Sequence, residues 1–293
     1  MTLSIHCFHR IVPDEKDPSI LPYLLRGTAL TVEEFERRIE LLLETHRIVN
    51  EDTAIAIAHG DSIEGAHAWL TFDDGYVDFI EHAAQVLRRF GVPATLFVST
   101  STLSGATLPA DEWYAAVGNA RNVRGCFTVD GGTWEFDLRS PHDFARLIDG
   151  PERRRYLDSP LENRGVLDEL RDQLHPAKSA GRLYLNEDDL RGLKETDFTV
   201  GSHSVSHAIF PRSSTETITR ELGESSVALS RTLGATPRSF AYPDGQTDAR
   251  SAKLVRDAGY EIGVGLFDID APTPWTLPRV LERRAAPMKK RGP

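Results

Sequence analysis

Short apolar runs that suit buried strands alternate with amphipathic stretches that suit helices over most of this 293-residue chain. The strands predicted in the first part of the chain are 3–8, 66–72 and 94–99, and the helices between them are 35–43 and 77–90. A helix after each strand favours a parallel sheet or a barrel with the helices outside. The alternation resumes at 186, includes a long helix predicted over 215–233, and continues to a last predicted strand at 261–265.

Residues from about 100 to 185 interrupt this alternation. The segment contains Trp113 and Trp134 and a predicted hairpin around 130–132. We interpret it as an insertion of mixed structure after an early barrel strand, within one domain that covers 1–293. Because barrel active sites form at the C-terminal ends of the strands, such an insertion can shape a substrate cleft. A purely structural subdomain explains it equally well.

The charge balance argues against nucleic acid as a partner. The chain carries 34 Lys and Arg residues against 44 Asp and Glu residues, a net charge of -10, whereas nucleic-acid binding depends on cationic patches. Cys7 and Cys126 have neither metal-site nor disulfide-type spacing. The sequence shows no membrane span and no signal-peptide pattern, which predicts a cytoplasmic location.

Two adjacent carboxylates, Asp73 and Asp74, directly follow the strand predicted at 66–72. Successive strand residues point to opposite faces, but a turn at Gly75 would break that alternation and turn both side chains toward one cleft. Neighbouring carboxylates repel each other, so a cation or a shared proton is expected beside them. An ordinary Asp-Gly turn before the next helix explains the same pair without any chemistry.

His203 and His207 follow a later predicted strand, 198–201. A helical turn beginning there would place both imidazoles on one face, which suits two ligands of one metal ion, with two unrelated polar residues as the alternative. The Glu that follows the first His of the helical metalloprotease motif is absent, so a base must come from elsewhere. One carboxylate and two imidazoles would form a three-ligand site with positions open for water and substrate, and the second carboxylate would be free to act as the base.

These motifs resemble those of the polysaccharide deacetylases with the NodB-type domain, carbohydrate esterase family 4. TFDDGY at 71–76 is similar to the first motif of that family, and HSVSH at 203–207 to the second, His-Ser/Thr-x-x-His. The resemblance implies a distorted (β/α)7-type barrel. It also implies metal-dependent removal of acetyl groups from an N-acetylated or O-acetylated sugar, in the synthesis of a surface polysaccharide.

The resemblance implies a role for each polar residue of the two motifs. Asp74, His203 and His207 would bind one divalent ion, expected to be Zn²⁺, and Asp73 would be the base that deprotonates the attacking water. The ion and a backbone N–H would hold the oxyanion. The partner would be an N-acetylated glycan or a sugar precursor.

The third family motif, commonly Arg-Pro-Pro-Tyr-Gly, is altered at 240–245. Ala241 stands in place of the arginine that would orient the base, and Asp244 stands in place of the tyrosine. Leu-Pro-Arg at 277–279 resembles a segment of the exopolysaccharide-type branch, so we predict that Arg279 supplies the missing charge; a surface arginine near the C-terminus is the alternative. The predicted substrate-binding residues are Tyr242, Pro243, Asp244 and Trp113. The rings of Trp113 and Tyr242 are candidate sugar-stacking surfaces, with aromatic core packing as the alternative.

The late histidine that acts as general acid in this family has no counterpart, since no histidine follows His207. His9 ends the first predicted strand, and the strand ends of a barrel face one cleft. Similar His-Arg segments open several exopolysaccharide deacetylases, so we predict that His9 protonates the leaving group. A histidine that only hydrogen-bonds Asp73 or Asp74 is the alternative.

Three other functions fit parts of the pattern. A hydrolase of a small non-sugar amide or cyclic imide would share the barrel and the metal site, and a catalytically inactive glycan-binding relative would share the fold. A non-haem iron oxygenase also uses two histidines and one carboxylate, but it is normally built on a β-sandwich. A cytoplasmic deacetylase would meet nucleotide-linked or lipid-linked sugar precursors, which predicts a role in making a capsule, an exopolysaccharide or a related glycan.

Overall fold

The computed structural model describes residues 2–129, 132–178, 181–193, 196–266 and 271–284. Within these ranges the α-helices are α1 Leu21–Arg26, α2 Val32–Thr45, α3 Glu51–Ala58, α4 Ala84–Phe90, α5 Pro109–Gly118, α6 Pro141–Asp149, α7 Pro151–Asp158, α8 Arg164–Leu174, α9 Glu187–Leu193, α10 Thr215–Leu233 and α11 Ala249–Asp257. The strands are β1 Thr2–Phe8, β2 Arg10–Val12, β3 Ala29–Thr31, β4 Arg47–Val49, β5 Ala66–Phe72, β6 Ala94–Val98, β7 Arg124–Val129, β8 Gly132–Asp137, β9 Phe198–Ser202, β10 Ser239–Ala241, β11 Ile262–Gly265, β12 Leu277–Pro278 and β13 Val280–Leu281.

Capping residues explain where several of these helices begin. A capping box joins Thr31 and Glu34 at the start of α2, and the Ser214 side chain accepts the Thr217 N–H in the first turn of α10. The helix predicted over 77–90 begins instead as a short π-helix, Phe79–Ala83, that runs directly into α4. Among the described residues, no helix combines the length and the apolar character that a membrane crossing requires.

The strands of the main sheet form a nearly closed barrel. Their order is β12, β11, β10, β9, β6, β5, β1 and β13, and β4 also pairs with β5, which makes nine strands. Each pair with a described register in this sheet is parallel. β12 and β13 lie at opposite ends of this order, yet only Arg279 separates them in the chain, so the two edges of the sheet come together.

This architecture confirms the predicted α/β fold and distorted barrel. The prediction that the strand at 261–265 is the last one was wrong, because β12 and β13 follow it and complete the barrel. Each has only two residues, too few to leave an alternating pattern in the sequence.

Apolar side chains pack on both faces of the barrel strands. Ile5, Trp69 and Phe97 belong to one buried cluster on the inner face, whereas Phe8 and Phe72 belong to the cluster beneath the helices. The alternation follows from strand geometry, in which successive side chains point to opposite faces. Polar residues that continue the inner register at the C-terminal strand ends therefore meet above the barrel core.

The described residues fall into two compact units. Unit 1 consists of the described residues within Met1–Ile11, Leu30–Ala106 and Arg182–Arg283, and it contains every strand of the barrel. Unit 2 takes those of Val12–Ala29 and Thr107–Gly181 together with Arg284, and it contains α1, α5 to α8 and the antiparallel pair β7–β8. That pair is the predicted hairpin, although 130 and 131 lie outside the described residues. One domain with an insertion at 100–185 stays a prediction.

Trp113 lies in the core of unit 2 with none of its surface exposed. Its ring stacks against Phe127 and Tyr156, with centroids 6.2 Å and 5.9 Å away. Its indole N–H donates to the Leu147 carbonyl at 2.7 Å. The prediction of a sugar-stacking surface at Trp113 was therefore wrong, because the ring is packed and hydrogen-bonded inside the fold.

Candidate metal and catalytic site

Asp73 and Asp74 lie at the C-terminal end of β5, in unit 1. The Asp73 N–H donates to the Phe8 carbonyl at 3.0 Å, which extends the pairing of β1 with β5. Asp74 and Gly75 both have left-handed backbone angles, with φ of 72° and 78°, so the strand ends in a tight turn. Both carboxylates are buried. The turn predicted at Gly75 is present, and it brings the two side chains to one place.

His203 and His207 lie on the loop after β9, and their ring centroids are 4.9 Å apart. The loop is not the expected helical turn, because Ser204 and His207 have φ of 66° and 59°, which a right-handed helix excludes. Of the five described non-glycine residues with positive φ, Asp74, Ser204, His207 and Asp244 belong to these motifs. Strained backbone of this kind collects at functional sites.

The Asp74 carboxylate approaches both imidazoles. Its Oδ1 is 3.4 Å from His203 Nε2 and 3.5 Å from His207 Nε2, and this buried oxygen has no hydrogen bond of good geometry within the described residues. Ligands at about 2.0–2.2 Å from a tetrahedral Zn²⁺ lie about 3.3–3.6 Å from one another. The three side chains therefore fit a single ion, which would also satisfy the orphaned oxygen.

The charges in this cluster shift one another's pKa values. Burial tends to raise the pKa of Asp74, but the neighbouring histidines lower it well below its usual range. Burial tends to lower the pKa of His203, but the charges of Asp73 and Asp74 outweigh it and raise that pKa. At His207 burial dominates, and the pKa is lowered. An ionised carboxylate and a neutral imidazole are the forms that bind a metal.

The second ring nitrogen of His203 is held by the backbone. Its Nδ1 donates to the Ala241 carbonyl oxygen at 2.7 Å, so the lone pair of the neutral ring lies on Nε2, toward Asp74. A partner of this kind fixes the tautomer and the direction of a metal-binding imidazole. Ala241 occupies the arginine position of the altered motif, and it supports the site through its main chain.

Arg279 forms a two-point ion pair with Asp73. Its Nη1 and Nη2 donate to Asp73 Oδ1 and Oδ2 at 2.7 Å and 2.6 Å, and Nη1 also donates to Thr71 Oγ1 at 3.1 Å. Burial tends to raise the pKa of Asp73, but Arg279 and His203 outweigh it and lower that pKa. The Arg279 N–H donates to the Gly265 carbonyl at 2.8 Å, which fixes the arginine where the barrel closes. The structure thus brings the predicted pair together.

His9 continues the inner register of β1 beyond Ile5 and Cys7. Cys7 Sγ lies 4.0 Å from His9 Nδ1 and 3.5 Å from Asp73 Oδ2, so His9 belongs to the same cluster as the carboxylates. Burial lowers the pKa of His9, although Asp74 and Asp73 oppose that shift. Cys7 is buried, as predicted, but its contact with Asp73 was missed. Only the register of β1 against β5, read from the end of each strand, could have indicated it.

The residues of the altered third motif have different surroundings. Tyr242 is fully buried between the sheet and the helices, and its hydroxyl donates to the Trp275 carbonyl at 2.7 Å. The prediction of a sugar-stacking ring at Tyr242 was therefore wrong. Pro243 is also buried, whereas Asp244 is exposed. The charge of Asp244 opposes the lowering of the His207 pKa, which places this carboxylate near the cluster.

Glu221, on α10, contacts the His203–His207 loop and was missed in the sequence. Its carboxylate accepts the N–H groups of Val205 and Ser206. The buried face of α10 consists of Ile218, Glu221, Leu222, Ser225, Leu229 and Thr232. A glutamate on a helix face with no other charged residue was the available signal, since a buried charge needs a polar partner.

Comparison with protein-family models identifies the same two motifs. A family model described as polysaccharide deacetylase matches residues 61–134 and 163–263, which together are more than half of the chain. The match includes Asp73, Asp74, His203 and His207 but not His9 or Arg279. No curated protein sequence matches the chain.

Solved structures of low sequence identity share the fold. The Streptococcus pyogenes deacetylase PplD, solved in complex with acetate, is 15% identical, with a TM-score of 0.63 over 96% of this chain and 92% of that chain. A de-N-acetylase from Aggregatibacter actinomycetemcomitans is 13% identical, with a TM-score of 0.59 over 96% and 95%. IcaB from Ammonifex degensii is 16% identical, with a TM-score of 0.54 over 95% and 91%.

Proposed function

Because the chain belongs to the polysaccharide deacetylase family, we propose that it hydrolyses the acetyl group of an acetylated sugar with one bound divalent ion. The observation that carries the proposal is the orphaned Asp74 Oδ1, 3.4 Å and 3.5 Å from two imidazole nitrogens. Asp74, His203 and His207 would hold the ion, and their nitrogen and oxygen donors suit Zn²⁺. When bound, the ion would polarise the acetyl carbonyl and make water a better nucleophile.

Asp73 is the proposed general base. Its lowered pKa keeps the carboxylate ionised, and its Oδ2 is 3.9 Å from His203 Nε2, so it lies beside the metal-binding residues. Both of its oxygens are held by Arg279, which leaves the base one orientation. Asp73 would remove a proton from the water that attacks the acetyl carbon, and positioned proton transfer of this kind contributes about 10²–10⁴-fold to a rate.

His9 is the proposed general acid. It lies near the base, with Cys7 Sγ within 4.0 Å of His9 Nδ1 and within 3.5 Å of Asp73 Oδ2. Burial lowers its pKa, which makes the protonated ring a stronger acid, while the charges of Asp74 and Asp73 favour the protonated form that a general acid needs. His9 would give its proton to the nitrogen or oxygen of the departing sugar as the bond to the acetyl carbon breaks.

The proposed substrate is an N-acetylated sugar of a surface polysaccharide, either in a glycan oligomer or in a precursor. One structural neighbour is named as a de-N-acetylase, which favours an amide over an ester. Of the four predicted substrate-binding residues, Asp244 is exposed, whereas Trp113, Tyr242 and Pro243 are buried. Asp244 is therefore proposed to contact the sugar near His207.

The test is acetate release from a panel of N-acetylated and O-acetylated oligomers and precursors. We expect release from at least one N-acetylated member, and Asp73→Asn should reduce it by at least about 100-fold. Asp188→Asn, at an exposed position of α9, is the matched control and should act like the wild type. Release from small amides or cyclic imides alone would favour a non-sugar amidohydrolase. Binding of oligomers without any release would favour a glycan-binding relative.

A further inference from the structure

Glu221 is a buried carboxylate that the proposed reaction does not use. It lies on α10 with 4% of its surface exposed. Its Oε2 accepts the N–H groups of Val205 at 2.9 Å and Ser206 at 2.8 Å, and its Oε1 accepts the Ser206 hydroxyl at 2.8 Å. Hydrogen bonds to an ionised acceptor are stronger than those between neutral groups. Three such bonds therefore join one helix side chain to two consecutive loop residues.

These two loop residues lie between His203 and His207. The loop contains two left-handed residues, Ser204 and His207, and such backbone persists only where its surroundings hold it. The Ser204 hydroxyl also accepts the His207 N–H at 3.0 Å. The bonds to Glu221 are therefore well placed to stabilise a loop conformation that the chain alone disfavours.

The same helix also supports the start of the loop. Ser225 lies one helical turn after Glu221, and its hydroxyl accepts a hydrogen bond from Ser202 Oγ at 2.8 Å. Ser202 Oγ in turn accepts the Ser204 N–H at 3.2 Å. One face of α10 thus holds the chain before and after Ser204.

We propose that Glu221 is a positioning residue that fixes the His203–His207 loop in its metal-binding conformation before the ion arrives. The inference rests on the proposed function, since it requires these histidines to bind the ion. A loop ordered in advance loses less conformational freedom on binding, which raises affinity. Loss of a partner that orients metal ligands typically weakens metal binding by about 10–100-fold.

The test is the zinc affinity of metal-free protein, measured by competition with a chelator. We expect Glu221→Gln to bind Zn²⁺ about 10–100-fold more weakly than the wild type. Glu224→Gln is the matched control, because Glu224 is exposed on the same helix, and its affinity should be unchanged. Zinc binding by Glu221→Gln as tight as that of the wild type would overturn the inference and leave the proposed function intact. Absence of zinc binding in the wild type would overturn both.

Unfolding with and without zinc separates positioning from general stability. If Glu221 positions the loop, the zinc-induced gain in stability shrinks in Glu221→Gln, by about 1.4 kcal/mol for each tenfold loss of affinity. If Glu221 had a purely structural role, the substitution would lower the stability of the metal-free and zinc-bound proteins equally and leave the zinc-induced gain intact. That result would also overturn the inference.

Ser206→Ala provides a second variant should Glu221→Gln fail to fold. It removes one bond to Glu221 from an exposed residue and should weaken zinc binding about threefold. Unchanged affinity in this variant would count against the inference.

Discussion

Replacing Arg279 with glutamine would remove the charge that holds the proposed base. The guanidinium donates to both oxygens of Asp73, and the two side chains are 0% and 3% exposed. The substitution keeps much of the volume and some hydrogen-bonding capacity, while the backbone bond from Arg279 to Gly265 is preserved. The effect should therefore come mainly from the charge, with the barrel closure maintained.

The expected loss of stability is large. Removing one partner of a buried ion pair costs about 3–5 kcal/mol, because the other charge is left without compensation. Asp73 has a lowered pKa in the native protein, so its contribution to stability is present above the unfolded pKa and is lost as pH falls through the folded pKa. Without Arg279, burial would favour the protonated carboxyl. The stability gap between variant and wild type should therefore narrow as pH falls.

Two assays check this prediction. Denaturant unfolding from about pH 4 to pH 8 should show that Arg279→Gln is less stable than the wild type and that the difference in stability narrows as pH falls. The pH profile of kcat/KM should have its acid limb moved to higher pH in Arg279→Gln, with a loss at neutral pH of up to about 10²–10⁴-fold. Arg279→Lys keeps the charge without the two-point contact, so its stability and its kcat/KM should lie between those of the wild type and Arg279→Gln. An unmoved acid limb in a folded variant would refute the role of Arg279 in holding the base.

Two further predictions concern residues outside the reacting groups. Trp113→Phe should lower the free energy of unfolding by about 1–3 kcal/mol, because the Leu147 carbonyl loses its hydrogen-bond donor. The same variant should leave KM unchanged. A raised KM without a loss of stability would contradict the burial of Trp113. Glu51 accepts a hydrogen bond from Ser239, and burial raises its pKa. The protonated form of Glu51 therefore contributes stability at low pH, and that contribution is lost as pH rises through the folded pKa. Glu51→Gln should therefore be more stable than the wild type at pH 7 and equal to it near about pH 4, as measured by unfolding at both pH values; equal stability at pH 7 would contradict this.

Long elements with a strong pattern could be predicted from the sequence. β5 and α10 were predicted with the bounds that the structure has, because five of the seven residues of β5 are apolar and α10 is a long amphipathic helix. The short closing strands β12 and β13 could not be found, because their position depends on pairing with β11 and β1. Such pairing leaves no local signal in two residues.

The site was predictable where the motif itself carries the geometry. The turn at Asp74 and Gly75 brings both carboxylates together, as the residues suggested. The aromatic predictions failed because a ring next to a motif does not reveal which face of a strand or helix it occupies. Tyr242 follows Phe240 on the outer face of its strand, so both belong to the same buried cluster. Glu221 was missed because its partners are backbone groups of a loop folded against its helix.

Zinc titration of the metal-free protein, with acetate release followed at each addition, tests the central claim most directly. The account predicts that activity is absent without metal, rises with added Zn²⁺, and saturates at one ion per chain. In His203→Gln, which lacks one of the three proposed ligands, the same titration should restore no activity at that stoichiometry. Full acetate release by the metal-free protein, or unchanged zinc-dependent release by His203→Gln, would contradict the account.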